Sequence, residues 1–388
     1  MNNRITVLLA SAAALTLSAG AAFAQTTLPA PAATPAPAPA APPAPPTLGT
    51  AMSASLAGNG SPVSYDMGIL GSKVYVTGAL TGLALTEDHP VPGDFTSQAD
   101  ISNAQIMINK TDGLVQYFLQ VGEYSFPSLA YPYVKSGPTT NANFGVVPEA
   151  YIKIAPTSSF SIEGGKLPTL IGDEYNFTYQ NLNIERGLLW GYEPAVSRGI
   201  QANYAQGPFT VAVSWNDGLY SNEFNTVSGL ATWAVTPTDT LAVAGSGTTK
   251  KTKFSALNNQ SIYNVIYTHT MGQWTISPYF QYEAIPKFAP AGQLKDQTIT
   301  SGALLVNYAF DSKSSLSGVS LPLRVEYVSS TGFQSYNAYS VTFTPTFQYK
   351  IYFVRAEVGY VGTNFGAFGP KGTDKEQTRG VIETGVLF

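Results

Sequence analysis

Residues suited to acid–base or nucleophilic chemistry are few in this chain. It has two histidines, His89 and His269, and no cysteine. Asp88 precedes His89, so these side chains could act as an acid–base pair, but no second acidic pair lies near them in the sequence. A phosphate loop at 164–166 is excluded because Leu167 stands where Ser or Thr is needed. The sequence therefore predicts a protein that is not an enzyme and needs no metal or cofactor.

Charged residues instead recur with a period of two inside apolar stretches. In residues 353–360, Arg355 and Glu357 alternate with Val354 and Val358. A strand points alternate side chains to opposite faces, so these charges share one face. An Arg or Lys facing lipid at the middle of a bilayer would cost roughly 2–4 kcal/mol, which favours a water-filled lumen instead. The candidates for a lumen wall carry both signs, which predicts a transverse field rather than a strong ion preference: Glu149, Lys153, Glu163, Arg324, Glu326, Arg355, Glu357, Arg379 and Glu383.

A long aromatic segment at 173–196 is the second candidate for function. It carries Tyr175, Phe177 and Tyr179 as well as charged residues. Folded inward, it would constrict a pore and offer aromatic faces to sugar rings; folded outward, it would cap a barrel or hold a neighbouring subunit. Both arrangements are consistent with the sequence. The residues that would form the constriction are Glu185, Arg186, Trp190 and Tyr192.

The composition limits the class of protein that can position these residues. The chain has 388 residues, of which 44% are hydrophobic, 12% aromatic and only 11% charged, against about 25% charged in soluble domains. The 20 basic and 24 acidic residues give a net charge of −4, which argues against a nucleic-acid binder. The absence of cysteine excludes a disulfide scaffold. The aromatic content excludes a disordered chain, so the uncharged surface must meet lipid or a very large interface.

The amino end has the pattern of an exported protein. Arg4, an apolar run from Ile5 to Leu17 and the motif Ala22-Phe23-Ala24 predict a signal peptide over 1–24. Residues 25–48 form an Ala/Pro-rich linker with nine prolines and no charge, a composition typical of extended polyproline II. This linker is either a passive spacer or an arm that reaches the cell wall. Residues 49–72 have no predicted placement.

The remaining residues, 73–388, predict a transmembrane β-barrel. After residue 48 no apolar run reaches 18 residues, so only a closed barrel could span a bilayer. Alternation is clearest in 340–349, where Val341, Phe343 and Phe347 share one face and threonines lie on the other. Seven short and eight long connections, one of the long ones predicted at about 329–337, imply about sixteen antiparallel strands. Short turns at the periplasmic side and long loops at the extracellular side are typical of bacterial outer-membrane barrels.

The carboxyl end predicts how such a barrel is assembled. The chain stops at Phe388, and Val386, Thr384 and Ile382 precede it on the same face of an alternating strand. A terminal aromatic on the last strand resembles the signal that barrel-assembly machinery reads. We therefore assign Phe388 and Val386 as the assembly signal.

Three stretches resemble a known family. They are GGKLPTLIG at 164–172, ERGLLWGY at 185–192 and SRGIQANY at 197–204. Together they resemble the middle region of the putative β-barrel porin-2 family of Gram-negative bacteria, over about 40 residues. The resemblance implies an outer-membrane pore.

The function expected from these observations is passive diffusion of small hydrophilic solutes or ions through a water-filled barrel in the cell outer membrane. The alternative is a structural tether or adhesin that uses the proline-rich linker and a largely plugged barrel. Expected partners are outer-membrane lipid, lipopolysaccharide and the assembly machinery, with a homotrimer and cell-wall contact as further possibilities. Lys250, Lys251 and Lys253 could touch lipopolysaccharide phosphates, although a solvated loop explains them as well.

Overall fold

The computed structural model describes residues 56–67 and 73–388, and these residues are almost entirely β-structure. The strands of the described residues are β1 (Val63–Asp66), β2 (Lys73–Glu87), β3 (Ser97–Lys110), β4 (Val115–Tyr124), β5 (Ala150–Ile154), β6 (Phe160–Pro168), β7 (Val196–Gln206), β8 (Phe209–Asn216), β9 (Thr226–Thr236), β10 (Asp239–Thr248), β11 (Ser261–Met271), β12 (Trp274–Ile285), β13 (Gln297–Ala309), β14 (Val319–Gly332), β15 (Tyr336–Phe343), β16 (Thr346–Tyr349), β17 (Tyr352–Thr363) and β18 (Glu376–Leu387).

Strands β2 to β18 form a closed antiparallel barrel with sixteen strand positions. Each strand pairs with its neighbour in sequence, and β18 returns to pair with β2. β15 and β16 share one position between β14 and β17. The break between them falls at Pro345, which has no N–H to donate to the ladder. The sixteen-stranded barrel predicted from the sequence is confirmed.

The last residue lies in the seam that closes the barrel. The Phe388 N–H donates to the Gly78 carbonyl at 2.9 Å, and the Gly78 N–H donates to the Phe388 carbonyl at 2.7 Å. The ladder therefore continues to the final residue of the chain, and β18 and β2 leave no unpaired edge along the length they share.

The strand faces differ sharply in polarity. On β17, Val354 and Val358 are 45% and 58% exposed on the outer face, whereas Arg355 and Glu357 are 1% and 2% exposed on the inner face. Aromatic pairs such as Trp274 and Tyr308, with ring centroids 4.8 Å apart, lie on the outer face near the short turns. An apolar outer face with aromatic residues near its border suits a bilayer and its interface.

The two ends of the barrel have different connections. The turn end has short links such as 207–208, 237–238 and 272–273, whereas the loop end carries most of the long ones. The loop predicted at 329–337 shrinks to 333–335, because β14 and β15 extend further than the sequence pattern indicated. The remaining long connections of the loop end are 88–96, 125–149, 169–195, 217–225, 249–260, 286–296 and 364–375, and one connection of the turn end, 310–318, is also long.

Helices are short and lie in the connections. Helix α1 is Ser136–Ala142, and single 3₁₀ turns occupy Thr178–Gln180, Trp190–Tyr192, Leu257–Asn259 and Ala289–Ala291. No helix in the described part of the chain has the length and apolar character needed to cross a membrane.

The segment before the barrel is attached at the turn end. β1 pairs with the start of β2, from Val63 opposite Val76 to Asp66 opposite Lys73. Upstream, the Gln348 side-chain amide binds both the N–H and the carbonyl of Ala57, each at 2.7 Å. Leu56 is buried in a cluster that includes the inward-facing Phe353, so this segment lies at the inner mouth of the barrel. The predicted signal peptide and linker lie outside the described residues.

Candidate pore constriction

The third long connection, residues 169–195, lies inside the barrel, and we call it the inner loop. Almost all of its residues are buried. Leu170 and Ile171 pack with Ala212, Ala244 and Ile262 of the wall. A second group of loop leucines packs against strands β13 to β17, in a core that contains Leu182, Leu188, Leu189, Ile299, Leu305, Val328 and Val361. The loop therefore touches two parts of the wall and fills much of the cross-section.

Three buried arginines of the wall, Arg324, Arg355 and Arg379, hold the inner loop. Arg355 of β17 donates from Nη1 to the Asn181 carbonyl at 3.0 Å and from Nη2 to the Thr178 carbonyl at 2.5 Å. Arg324 of β14 donates to the Glu185 carbonyl at 2.8 Å. Hydrogen bonds with a charged donor are stronger than neutral ones, and burial removes competing water.

Each of these arginines also has a carboxylate partner on the wall. Arg355 contacts Glu383 on the neighbouring strand at 2.6 Å, and Arg324 Nε lies 3.1 Å from Glu326. Arg379 contacts Glu87 across the seam at 2.5 Å. Wall carboxylates therefore balance the charges of these three arginines without any contribution from the inner loop.

Glutamates of the wall accept hydrogen bonds from N–H and hydroxyl groups of the inner loop. Glu357 accepts hydrogen bonds from the N–H of Ile184 at 2.5 Å and of Glu185 at 3.0 Å. Glu326 accepts one from the Leu189 N–H at 3.3 Å, and Glu383 accepts one from the Thr178 hydroxyl. The wall thus binds carbonyls with arginines and amides with glutamates.

Glu185 and Arg186 point to different sides of the loop. Glu185 reaches the wall, where its carboxylate lies 2.5 Å from Arg379 Nη1. Arg186 turns into the loop, where its guanidinium lies 5.5 Å from the Phe126 ring centre and 5.6 Å from that of Trp190. Burial lowers the pKa of Arg186 to about 9, so it remains positive at neutral pH. The two residues form separate contacts rather than a charged pair facing solute.

The aromatic side chains of the loop serve packing. Trp190 is 5% exposed and lies 5.9 Å from the Phe126 ring. The Tyr192 hydroxyl contacts the Tyr336 hydroxyl, and its carbonyl accepts a hydrogen bond from Gln260 at 2.7 Å. Protein covers Trp190, whereas Tyr192 is half-buried, so little ring surface is open in this structure and sugar binding by this segment stays a prediction.

The remaining wall candidates lie on β5 and β6. Glu149 lies just before β5, where its carboxylate is 3.4 Å from the Asn176 amide of the inner loop. Lys153 stands opposite Glu163 in the β5–β6 register, and Glu163 accepts a hydrogen bond from Gln201 at 2.9 Å. These residues extend the charged lining to the strands that lead into the inner loop.

The sequence pattern did not identify several acidic residues that face the lumen or the inner loop. Glu87 ends an alternating strand and could have been found by the same rule as Glu383. Glu174, which pairs with Arg324, has no local signature because it lies in a loop. Asp173 and Glu193 form no salt bridge with any described residue, and burial raises the pKa of both carboxyls well above the usual range.

One glycine allows the loop to approach the wall. A side chain at Gly187 would overlap the Glu326 carboxylate, which lies directly against the Gly187 backbone. Only glycine permits this approach without displacing Glu326, which also accepts a hydrogen bond from Ser340 at 2.6 Å. The close contact brings the loop within reach of Arg324.

A different wall borders the ends of the inner loop. There a narrow crevice separates Thr169 and Pro194 from strands β7 to β9. The wall side chains along it are small or uncharged: Ser197, Gln201, Ser214, Asn216 and Ser228. The lumen is therefore asymmetric, with paired charges on one side and neutral polar groups on the other.

The two histidines lie at opposite ends of the barrel. His89 is in the 88–96 loop, 3.4 Å from Asp88. His269 is near the turn end, 2.7 Å from Asp239, and both positions are outside the lumen contacts described above. The expectation that the protein is not an enzyme remains a prediction.

Solved structures with the same fold are outer-membrane proteins. The chain is similar to the OmpF porin of Salmonella typhi, solved with daunomycin (12% identity, TM-score 0.57), and to the outer-membrane channel DcaP of Acinetobacter baumannii (9%, 0.56); each comparison covers 84% of this chain and 100% of the other. It is also similar to an anion-selective porin of Comamonas acidovorans (9%, 0.55), over 81% of this chain and 99% of that one. At these identities the likeness shows the fold alone.

Sequence comparison gives the family. No functionally curated protein matches the chain. A family profile, however, matches residues 73–388, the whole barrel. The chain therefore belongs to the family described as Putative beta-barrel porin-2, OmpL-like.

Proposed function

We propose that the protein is an outer-membrane porin through which small hydrophilic solutes diffuse passively, and that the inner loop limits the width of the passage. The inner loop carries this proposal, because buried charged side chains of β14, β17 and β18 hold it inside a sixteen-stranded barrel. A barrel of this size encloses an aqueous channel unless something narrows it. A loop fixed at several points narrows the lumen to a defined size.

The passage we propose runs along β7 to β9. In this structure the crevice there is too narrow for a water molecule, so the passage requires the ends of the inner loop to move away from this wall. The arginines of the opposite wall already contact loop and wall groups, so they are not free to bind solutes. The crevice beside Ser214 and Asn216 is lined by hydroxyl and amide groups, which can replace water around a neutral polar solute. This arrangement supports a preference for small uncharged solutes.

Thiol labelling tests this path, because the chain has no native cysteine. We expect the wild-type barrel to give ohmic steps in planar bilayers. We expect Ser214→Cys, labelled with a positively charged methanethiosulfonate, to lose most of its conductance because the label fills the crevice. Val213→Cys is the matched control, since Val213 is the neighbouring residue on the outer face. A folded wild-type barrel that never conducts would reject the porin function, whereas equal conductance of labelled Ser214→Cys would reject only the path.

The cellular setting is part of the same proposal. Residues 1–24 would direct export, and Phe388 with Val386 would be read by the assembly machinery. The turn end would face the periplasm, and lipid and lipopolysaccharide would surround the outer face. A homotrimer fits this proposal, because a similar solved structure, OmpT of Vibrio cholerae, is described in a trimer form.

The tether function remains a second candidate because of one contact. Gln348 holds Ala57 at the inner mouth, nine residues after the end of the proline-rich linker at residue 48. An arm anchored there would transmit force to the barrel, and a fixed segment could also obstruct the mouth.

Replacing Gln348 separates these roles. We expect Gln348→Leu to make residues 56–62 cleavable by added protease, because both hydrogen bonds to Ala57 are lost, and to leave unit conductance unchanged. Gln116→Leu, at another turn, is the control. If only Gln348→Leu conducts, the mouth is plugged in the wild type and the tether function gains support.

A further inference from the structure

A groove lies on the outer face of the barrel, near the loop end of β6, β7 and β8. Its volume is about 540 Å³, and the paired backbone of Gly165 and Gly199 forms its floor. Its apolar side chains are Val147, Ile200, Trp215 and Phe224. Ile200 and Trp215 are each more than half exposed, so the groove is open to whatever surrounds the barrel.

Two cations stand beside the groove, although the outer face is otherwise largely apolar. Lys166 and Arg198 are directly opposite each other in the β6–β7 register. Both face the ring of Tyr220: the Arg198 guanidinium carbon lies 3.8 Å from the ring centre and Lys166 Nζ lies 5.6 Å from it. The ring therefore holds two positive groups close together.

Other contacts fix these cations but leave hydrogen-bond donors free. Arg198 donates from Nε to Asp217 at 2.7 Å and from Nη2 to the Tyr220 carbonyl at 3.0 Å. Lys166 donates to the carbonyls of Phe144 at 2.9 Å and Val147 at 2.7 Å. Among described residues, no acceptor binds Arg198 Nη1 or the third hydrogen of Lys166. The Arg198 side chain is 29% exposed, so a ligand could reach it.

The charge near the groove is positive overall. Asp217 balances Arg198, and Glu223, which precedes Phe224 in the sequence, offsets one of the remaining positive charges. The adjacent loop adds Lys250, whose carbonyl accepts a hydrogen bond from Asn225, the residue after Phe224. Lys251 and Lys253 follow it on the surface. A phosphate is the anion that a guanidinium and an ammonium bind together most readily.

We propose that this groove binds a phosphorylated glycolipid of the membrane leaflet at the loop end. Its acyl chain would lie against Ile200, Trp215 and Phe224, and its phosphate would accept hydrogen bonds from Arg198 and Lys166. A lipid is the occupant that matches both parts of the site, because the groove faces the bilayer and its cations lie near the border of the apolar face. The site is separate from the lumen, so it does not depend on whether the barrel conducts.

Native mass spectrometry of the full-length protein in neutral detergent tests this site, with lipid A as the probe. We expect wild type to retain one lipid A, and dephosphorylated lipid A to bind at least about tenfold more weakly. Lys166→Gln and Arg198→Gln should each weaken binding by about tenfold. Lys313→Gln, an exposed lysine at the turn end, should bind like wild type. Circular dichroism checks that each variant is folded.

Lys166→Gln keeps the proposal testable if Arg198→Gln fails to fold, because it leaves the Arg198–Asp217 pair intact. Trp215→Ala should weaken both forms of lipid A equally, since it removes apolar contact and the Trp215 hydrogen bond to the Phe224 carbonyl but no cation. The proposal is overturned if wild type retains no lipid, or if the lysine variant retains as much as wild type. It is also overturned if the variants change only the oligomeric mass, because the groove would then be a subunit interface.

Discussion

Replacing Arg355 with methionine is expected to raise the unit conductance of the barrel and to make it fluctuate. Arg355 is the wall residue that binds the middle of the inner loop, through the carbonyls of Thr178 and Asn181. Without those contacts this part of the loop is free to move away from β17. The same change leaves Glu383 buried without its charged partner, which typically costs about 3–5 kcal/mol.

The double variant Arg355→Met/Glu383→Gln separates the two effects. The glutamine removes the unpaired charge and still accepts hydrogen bonds from Ser102 and Thr178, as Glu383 does. We therefore expect thermal stability to recover in the double variant while the raised conductance remains.

Selectivity provides an independent readout. The single variant leaves one negative charge uncompensated, so its reversal potential in a salt gradient should shift towards cations, and the shift should disappear in the double variant. The sequence predicts the same direction for neutralising Arg355 and Arg379. Unchanged conductance and selectivity in the single variant would mean that Arg355 has no role in the constriction.

The barrel was predictable because its information is local. Alternation with a period of two assigns each residue to one face, and a one-residue slip would expose the charged face to lipid. This rule identified Arg324, Arg355 and Arg379 as inward-facing, and turn residues gave the strand number. The structure differs most from the sequence expectation at 329–337. A long loop was predicted there, but polar and glycine residues continue β14 and β15 through most of this stretch.

The constriction was less predictable because its contacts join distant parts of the chain. Glu174 lies 150 residues from Arg324, and Glu87 lies 292 residues from Arg379. Pairs separated by so many residues produce no repeating pattern that could be recognised in the sequence. The aromatic residues of the inner loop suggested a solute-binding surface, but the same residues can form a packed core, and only the fold shows that Trp190 and Tyr192 do so.

The contacts also change the meaning of the scarce charges. A wall that carries both signs was expected to create a transverse field across water. Instead, wall carboxylates balance the three arginines, and both signs bind the backbone of the inner loop. Charge on this wall therefore holds the inner loop in place, and under the proposed function the loop in turn sets the width of the lumen.

Removing the inner loop is expected to have the largest effect on conduction. Thr169 donates from its N–H to the Ala195 carbonyl at 3.1 Å, so the two ends of the loop are adjacent. Replacing residues 170–194 with Gly-Ser-Gly-Ser would thus close a short hairpin between β6 and β7. The ladder stays complete, and we expect the variant to fold as a barrel.

The wall should tolerate this deletion better than the single Arg355 change. Arg324, Arg355 and Arg379 keep Glu326, Glu383 and Glu87 as partners, and water enters the lumen to solvate them. In Arg355→Met the Glu383 carboxylate lacks its charged partner and is shielded from water whenever the loop lies against β17, whereas in the deletion variant every charge is either paired or hydrated. The expected result is a several-fold higher unit conductance in planar bilayers without fluctuation, and entry of larger sugars in liposome-swelling assays. A matched shortening of the 286–296 loop should leave both measurements unchanged. If the deletion variant folds but conducts like wild type, the inner loop does not limit the passage and another part of the lumen must do so.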